Sequence, residues 1–189
     1  MGRVLAPMDS KTKPVGIIPF GEIPEIVSKV IAGHMIAYLN LSAEMIPHAK
    51  NPAFAFDDKR LQYDAGSILM NLESSGLNRY ERVIGIVDVD LFVPIFSYVF
   101  GEAKQGGKYA LVSLFRLKKN LDGSAPASSI FYERAAKVAL HELGHLYNLF
   151  HCEDKRCLMH FSGGIQELDK TPLYFCRYCT AFFKDALLA

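Results

Sequence analysis

Residues 128–151 read SSIFYERAAKVALHELGHLYNLFH, and this stretch decides the fold because its pattern predicts one long helix. The helix carries His141 and His145, which are four residues apart and therefore lie one above the other on the same face. Both imidazoles can reach a single metal ion. Glu142 lies about 100° round the helix, beside the pair, where a carboxylate can act without displacing a ligand.

His151 supplies the third ligand that this pair of histidines needs. A continuous helix would carry His151 to another face, so we expect a break near Asn148, a residue type that tolerates the left-handed conformation. Three histidine nitrogens and one water make the open site of a catalytic zinc ion. We therefore predict that Glu142 is the general base that takes a proton from the zinc-bound water.

The four cysteines of the chain all lie between residues 152 and 179. They form two close pairs on either side of an 18-residue loop, which predicts a closed structural zinc site of Cys152, Cys157, Cys176 and Cys179. Two disulfides, four unrelated thiols or a redox C-x-x-C are the alternatives. We expect two zinc ions per chain, one catalytic and one structural. Because Cys152 follows His151 directly, the two sites should be coupled.

The pattern H-E-x-x-H-x-x-N-x-x-H resembles the metzincin metallopeptidases, whose signature has glycine where Asn148 stands and is followed by a methionine-containing turn. Including the four cysteines and Met159, residues 141–179 are similar to the archaemetzincins. The resemblance implies that the three histidines bind zinc, that Glu142 is the general base, and that Met159 forms an apolar floor beneath the ligands.

One catalytic role stays unassigned by the resemblance. Some metzincins have a catalytic tyrosine two residues after the turn methionine, where this chain has Phe161, which cannot donate a hydrogen bond. By proximity in sequence alone, four residues are candidates for stabilising the tetrahedral intermediate: Tyr147, Tyr174, Tyr178 and His160.

Strand and helix patterns alternate upstream of this region. Residues 82–89 are nearly continuous in apolar residues, which predicts a central strand covered on both faces. The other predicted elements are strands at 15–20, 42–48, 96–101 and 109–115, helices at 24–39 and 62–72, a turn at Gly106-Gly107, and an N-cap at Ser128 or Ser129 for the long helix.

These elements predict an α/β fold of the metzincin kind, in which a mixed, twisted β-sheet packs with helices that include the long active-site helix. We expect residues 1–150 to form the N-terminal α/β subdomain. Residues 151–189 should form a small zinc-stapled C-terminal subdomain with the third histidine ligand, the methionine turn and the four cysteines.

Composition limits the partners. The chain has 189 residues with 21 basic and 20 acidic side chains, so no net field attracts nucleic acid or an anionic membrane. The polar leader at residues 1–14 has no signal peptide pattern, and no later run is long enough to span a membrane. We expect a cytoplasmic monomer that acts on a peptide or protein substrate.

The predicted function is hydrolysis of peptide bonds, with aminopeptidase-like cleavage as one form, in a substrate held along an edge strand within residues 96–104. The alternative is a catalytically idle zinc-binding protein that binds peptides or a protein partner. Asn148 and Phe161 favour that alternative, whereas Glu142 opposes it, because a structural site needs no such carboxylate. Asp88 and Asp90 could suggest another metal, but carboxylates at a strand end are common; His34 and His48 receive no function.

Overall fold

The computed structural model describes residues 13–188. The predicted leader falls mostly on residues 1–12, which lie outside the described part. The helices are α1 Glu25–His34, α2 Ala65–Glu73, α3 Ser128–Leu146, α4 Ile165–Lys170 and α5 Arg177–Leu188. The strands are β1 Val15–Pro19, β2 Ala43–Met45, β3 Phe56–Asp57, β4 Gln62–Asp64, β5 Val83–Val87, β6 Leu91–Phe92, β7 Gly101–Ala103 and β8 Tyr109–Ser113.

The main sheet has five strands in the order β2-β1-β5-β8-β7. Its strands are parallel except for β7, which pairs antiparallel with β8 and forms one edge. β5 lies at the centre and is buried along its whole length, which confirms the prediction for residues 82–89. The predicted α/β class with a mixed sheet is therefore confirmed.

Each face of the main sheet is covered by helices. Ile84 and Ile86 of β5 belong to the larger core, which contains residues of α1 and α3. Val83 and Val87 point the opposite way, into a second core that contains residues of α2. Period-two alternation along a strand buried on both faces produces this arrangement.

A second, three-stranded sheet has the order β3-β4-β6 and corrects one sequence prediction. The predicted helix at residues 62–72 begins only at Ala65, because residues 62–64 pair with β3 and β6 as a strand. The Asp64 side chain accepts hydrogen bonds from the amides of Gly66 and Ser67, which fixes the start of α2.

The predicted strand at residues 96–101 was also wrong, since β7 begins only at Gly101. The main-chain oxygens that would pair in a longer strand are taken by side chains instead. Arg60 donates to the carbonyl of Phe96 at 2.8 Å, and Gln62 donates to the carbonyl of Ser97 at 2.9 Å.

Two helix ends also differ from prediction. The N-cap of α3 is Ala127, which has no side-chain oxygen, and not Ser128 or Ser129. The predicted helix at 24–39 is α-helical to His34 and finishes with a π-helical turn at residues 35–39. This turn ends at Asn40 in the left-handed conformation.

The break after α3 is where the sequence placed it. Helix α3 ends at Leu146, and two residues later Asn148 has a φ of 69°, in the left-handed region, which turns the chain away from the helix axis. The amide of Gly106, in the turn after β7, donates to the carbonyl of His145 at 2.9 Å and satisfies one helix-terminal oxygen. The predicted turn at Gly106-Gly107 is confirmed, with Gly106 at a φ of 63°.

The chain after α3 packs back onto it. Residues of the segment that follows, including Cys157, Met159 and Phe183, lie in the same core as the buried face of α3. The division of the chain at residue 150 stays a prediction. None of the helices within residues 13–188 is long and apolar enough to cross a membrane.

Candidate metal centres and active-site cleft

The three predicted histidine ligands lie together at the end of α3. One ring nitrogen from each histidine lies within 4.8 Å of the other two, and the Nε2 atoms of His141 and His145 are 3.1 Å apart. Nitrogens about 2.0–2.1 Å from one zinc ion would show similar separations. His151 reaches this cluster because the chain reverses at Asn148.

Main-chain oxygens orient two of these rings. The Nδ1 atom of His141 is 2.8 Å from the carbonyl oxygen of Leu158, and Nδ1 of His145 is 2.8 Å from that of Leu149. Each Nδ1 can therefore donate to a carbonyl while Nε2 is left to face the shared centre, as metal-ligating histidines require. The donor set and its orientation fit a zinc ion.

The surroundings of these rings favour their neutral form. Desolvation, with a smaller contribution from His145, lowers the pKa of His141 to about 3. Desolvation also lowers the pKa values of His145 and His151. Only the neutral imidazole has the lone pair that binds a metal, so the environment favours the ligating form at neutral pH.

Glu142 is buried beside the histidine cluster and lies directly under β7. A Cβ atom at Gly101 would be 2.6 Å from Oε1 and 2.7 Å from Cγ of Glu142, so only glycine leaves room for this carboxylate. Desolvation, and to a lesser degree the charge of Glu102, raises the pKa of Glu142 well above its ordinary value. The carboxylate is therefore a strong proton acceptor.

Met159 lies beneath the helix, as the sequence predicted for a turn methionine. It is fully buried, and a Cβ atom at Gly144 would be 2.4 Å from its Sδ atom. Gly144 therefore allows the methionine to approach the helix backbone between His141 and His145. Met159 also accepts a hydrogen bond from the amide of Cys152 through its carbonyl oxygen, at 2.8 Å.

The four cysteines form a second cluster close by. Their Sγ atoms lie within 4.8 Å of one another, and those of Cys152 and Cys176 are 3.9 Å apart. No disulfide joins them in the described part of the chain. Four sulfurs at about 2.3 Å from one zinc ion are separated by similar distances, so this set also fits zinc.

The two clusters share the same short loop. Cys152 follows His151, and Cys157 precedes Leu158, whose carbonyl oxygen orients His141. Burial raises the pKa of Cys157 to about 11 and also raises that of Cys179, so a metal that binds here must displace thiol protons. The sequence predicted the link from Cys152 to His151, which are neighbours in the chain. It did not predict the link through the Leu158 carbonyl oxygen, because that contact joins the loop to the His141 ring.

A cleft of about 500 Å³ opens over the histidine cluster between β7 and the chain that follows Met159. Its lining includes His141, Glu142, His145 and His151, with Tyr98 and Phe161 near them. Among the tyrosines of residues 13–188, only Tyr98 lines this cleft. Sequence proximity had pointed to Tyr147, Tyr174, Tyr178 and His160, which lie elsewhere.

The remaining polar candidates are engaged in ordinary contacts. Asp90 forms a two-point ion pair with Arg116 at 2.6 and 2.7 Å, and Asp88 pairs with Lys118. His34 and His48 each contact a main-chain carbonyl through Nδ1. These aspartates are therefore neutralised by cations rather than grouped around a metal.

Solved structures resemble this arrangement. The crystal structure of archaemetzincin from Methanopyrus kandleri superposes with a TM-score of 0.85 at 32% identity and covers 98% of this chain and 100% of the other. The archaemetzincin of Archaeoglobus fulgidus, complexed with malonate, gives a TM-score of 0.75 at 29% identity, with 89% and 99% covered.

The sequence comparisons agree. The model of Peptidase family M54 matches residues 28–185. The archaemetzincin of Methanocaldococcus jannaschii is 32% identical over 169 residues, covering 89% of this chain and 92% of the relative. That of M. kandleri is 38% identical over 169 residues, covering 88% and 93%.

The chain therefore belongs to Peptidase family M54. It is accordingly a zinc metallopeptidase, which confirms the enzyme class that the sequence predicted, and its resemblance to the archaemetzincins is confirmed.

Proposed function

We propose that this metallopeptidase hydrolyses peptide bonds in the cleft beneath β7, with zinc held by His141, His145 and His151 and with Glu142 as the general base. The observation that carries the proposal is the place of Glu142. Its buried carboxylate lies next to three convergent imidazoles and under a glycine that leaves room for it.

His141, His145 and His151 would hold the zinc ion, which would lower the pKa of a bound water and polarise the substrate carbonyl group. Glu142 then takes a proton from the attacking water and passes it to the leaving amine. Burial supports the proton transfer, because it raises the proton affinity of the carboxylate.

The substrate binds as an added strand on β7. This strand pairs only with β8 in the main sheet, so its other edge faces the cleft and offers main-chain groups to an extended peptide. The location agrees with the edge strand expected within residues 96–104.

Two zinc ions per chain are part of this proposal. The second is held by Cys152, Cys157, Cys176 and Cys179, and it fixes the loop that positions His151 and Leu158. Residues 151–189 thereby act as a unit that supplies the third ligand, the methionine floor and the structural zinc site.

Aminopeptidase-like cleavage, the finer form of the prediction, would be favoured by an anionic group that holds the free ammonium group of the substrate. Besides Glu142, the cleft-lining residues of the described part include one carboxylate, Glu102. Glu102 pairs in register with Leu111, which belongs to the core on the α2 side, so its side chain belongs to the other face of the sheet. Peptides with free and acetylated N-termini test this form directly, since an aminopeptidase would cleave only the free peptide.

The test of the proposal is digestion of a peptide library by the zinc-loaded protein and by Glu142→Gln. The variant should hold two zinc ions yet lose at least about a hundredfold in kcat/KM, the scale of a lost general base. Glu73→Gln, at an exposed position of α2 outside the cleft lining, is the matched control and should cleave normally. Equal cleavage by wild type and Glu142→Gln would reject the mechanism, and about one zinc per chain would favour the idle alternative.

A further inference from the structure

One end of the cleft is spanned by four residues, which we call the bridge: Phe96, Tyr98, Phe161 and Gly163. The hydroxyl of Tyr98 donates to the carbonyl oxygen of Gly163 at 3.1 Å. The rings of Phe96 and Phe161 stack with 6.0 Å between their centroids. Phe96 and Tyr98 precede β7, whereas Phe161 and Gly163 follow Met159, so the two walls of the cleft touch here.

The wall that carries Tyr98 is firmly held. The guanidinium of Arg116 lies 3.9 Å from the centre of the Tyr98 ring and forms a two-point ion pair with Asp90. Gln62 donates to both Asp90 and the carbonyl of Ser97, at 3.0 and 2.9 Å. This side of the bridge is therefore fixed by a network rather than by a single loop contact.

The opposite wall is held as well. The amide of Gly163 donates to the Glu167 carboxylate at 2.6 Å, which ties it to α4. The hydroxyls of Ser162 and Thr171 are 3.3 Å apart. The bridge therefore joins two walls that are each held independently.

The bridge begins one aromatic ring away from the proposed metal ligands. The Phe161 ring packs edge-on against His151, with 5.3 Å between centroids, and Phe96 follows at 6.0 Å. An extended peptide advances about 3.4 Å per residue, so these two centroid distances place the whole bridge within about three residues of the proposed metal ligands.

The direction of β7 tells which end of a substrate meets the bridge. Phe96 and Tyr98 lie before Gly101, at the beginning of β7. A peptide that adds antiparallel to β7 has its C-terminal part at the beginning of that strand. Antiparallel pairing is the more stable and more frequent arrangement.

We propose that the bridge closes the C-terminal side of the cleft, so that the substrates of this enzyme are peptides cleaved within about three residues of their C-terminus. This inference rests on the proposed peptidase function and on strand addition at β7. It assigns Tyr98 and Phe96 as residues that determine substrate length on that side.

Two peptide series test the proposal. One keeps the N-terminal half fixed and extends the C-terminal half from about one to about eight residues, and the other does the reverse. The first series should lose about tenfold or more in kcat/KM beyond about three residues, whereas the second should change by less than about threefold. Equal cleavage of all lengths would overturn the proposal, and a loss confined to the second series would overturn the assigned direction.

Tyr98→Phe removes the hydrogen bond to Gly163 and keeps the ring on Arg116. It should raise the ratio of kcat/KM for long over short C-terminal halves by about threefold or more, and Phe96→Ala combined with it should raise the ratio further. Tyr38→Phe, which removes a hydroxyl on the surface outside the cleft, is the matched control and should leave the ratio unchanged. An unchanged ratio in both bridge variants would contradict the role of the bridge.

Binding gives a readout that does not depend on turnover. Zinc-loaded Glu142→Gln should bind the first peptide series with a dissociation constant that rises about tenfold beyond three residues. If the dissociation constant rises with the length of the C-terminal half while wild type cleaves no peptide, the proposed peptidase function fails, but the bridge still limits substrate length. If binding is independent of length, the bridge proposal fails whatever the activity.

Discussion

Gly101→Ala isolates the contact between β7 and the proposed general base. Gly101 is the first residue of the edge strand, and its φ lies outside the left-handed region, so the backbone itself can accept alanine. The added methyl group would lie 2.6, 2.7 and 2.8 Å from Oε1, Cγ and Cδ of Glu142. The substitution therefore acts on Glu142 through space rather than through the backbone.

The size of the effect follows from these distances. Ordinary carbon contacts begin near 3.4 Å, so the carboxylate must retreat by about 0.6–0.8 Å or β7 must move by as much. A displacement of about 1 Å can cost about a hundredfold in rate, so we expect kcat to fall by about ten- to a hundredfold. Overpacking should also lower the free energy of unfolding by about 1–3 kcal/mol.

The assay combines three measurements on Gly101→Ala: kcat and KM on a cleaved peptide, zinc content per chain, and the urea midpoint. Zinc content should equal that of wild type, since the three atoms nearest to the added methyl group all belong to Glu142. Gly33→Ala is the matched control. Its added Cβ meets nothing within 4 Å, and it should keep full activity and gain up to about 1 kcal/mol of stability in α1.

Two results would refute this reasoning. Wild-type kcat in a folded Gly101→Ala protein would mean that the position of Glu142 does not limit the reaction. Loss of zinc with the loss of activity would mean that the methyl group disturbs the ligands, and the catalytic effect could not then be assigned to the carboxylate.

Three further predictions concern metal and stability. Cys179→Ser should lower the zinc occupancy of the histidine site as well as that of the cysteine site. The reason is that the loop carrying Cys152 and Cys157 also carries His151 and the Leu158 carbonyl that orients His141. Normal activity and normal zinc occupancy of the histidine site would refute the coupling. Gly144→Ala should lower the free energy of unfolding, measured by urea denaturation, by about 1 kcal/mol or more despite the better helix propensity of alanine, since its Cβ would lie 2.4 Å from Sδ of Met159. Adding Met159→Ala should relieve part of this loss, and a stability gain in the single variant would count against the close packing. In the metal-free protein, Glu142 has a folded-state pKa above its ordinary 4.5, so the folded state keeps a proton that the unfolded chain loses, and stability falls as pH rises above about 4.5. Metal-free Glu142→Gln should therefore unfold at a higher urea concentration than metal-free wild type at pH 7, with the difference vanishing near pH 4. Equal unfolding at both pH values, or a less stable variant at pH 7, would contradict the raised pKa.

Patterns within one element predicted much of the fold. The central strand β5, the helix α1 and the long helix α3 follow from apolar periodicity, which depends on a few neighbouring residues. The predicted start of α2 was wrong because it depends on contacts that are not local in sequence. Residues 62–64 pair with β3 and β6, and that pairing is decided by segments far away in the chain.

The sequence by itself identified the residues of the histidine cluster and of the four-cysteine cluster. The four-residue spacing of His141 and His145, the left-handed residue at Asn148 and the short spacing within each cysteine pair are local constraints, so the sequence alone could nominate these residues. Only the tertiary structure decided which contacts orient the site residues and which residues bound the cleft. The room for Glu142 under Gly101, the carbonyls that orient His141 and His145, and the bridge from Tyr98 to Gly163 join segments distant in sequence. Such contacts depend on how separate elements pack against one another, and no local periodicity records that packing.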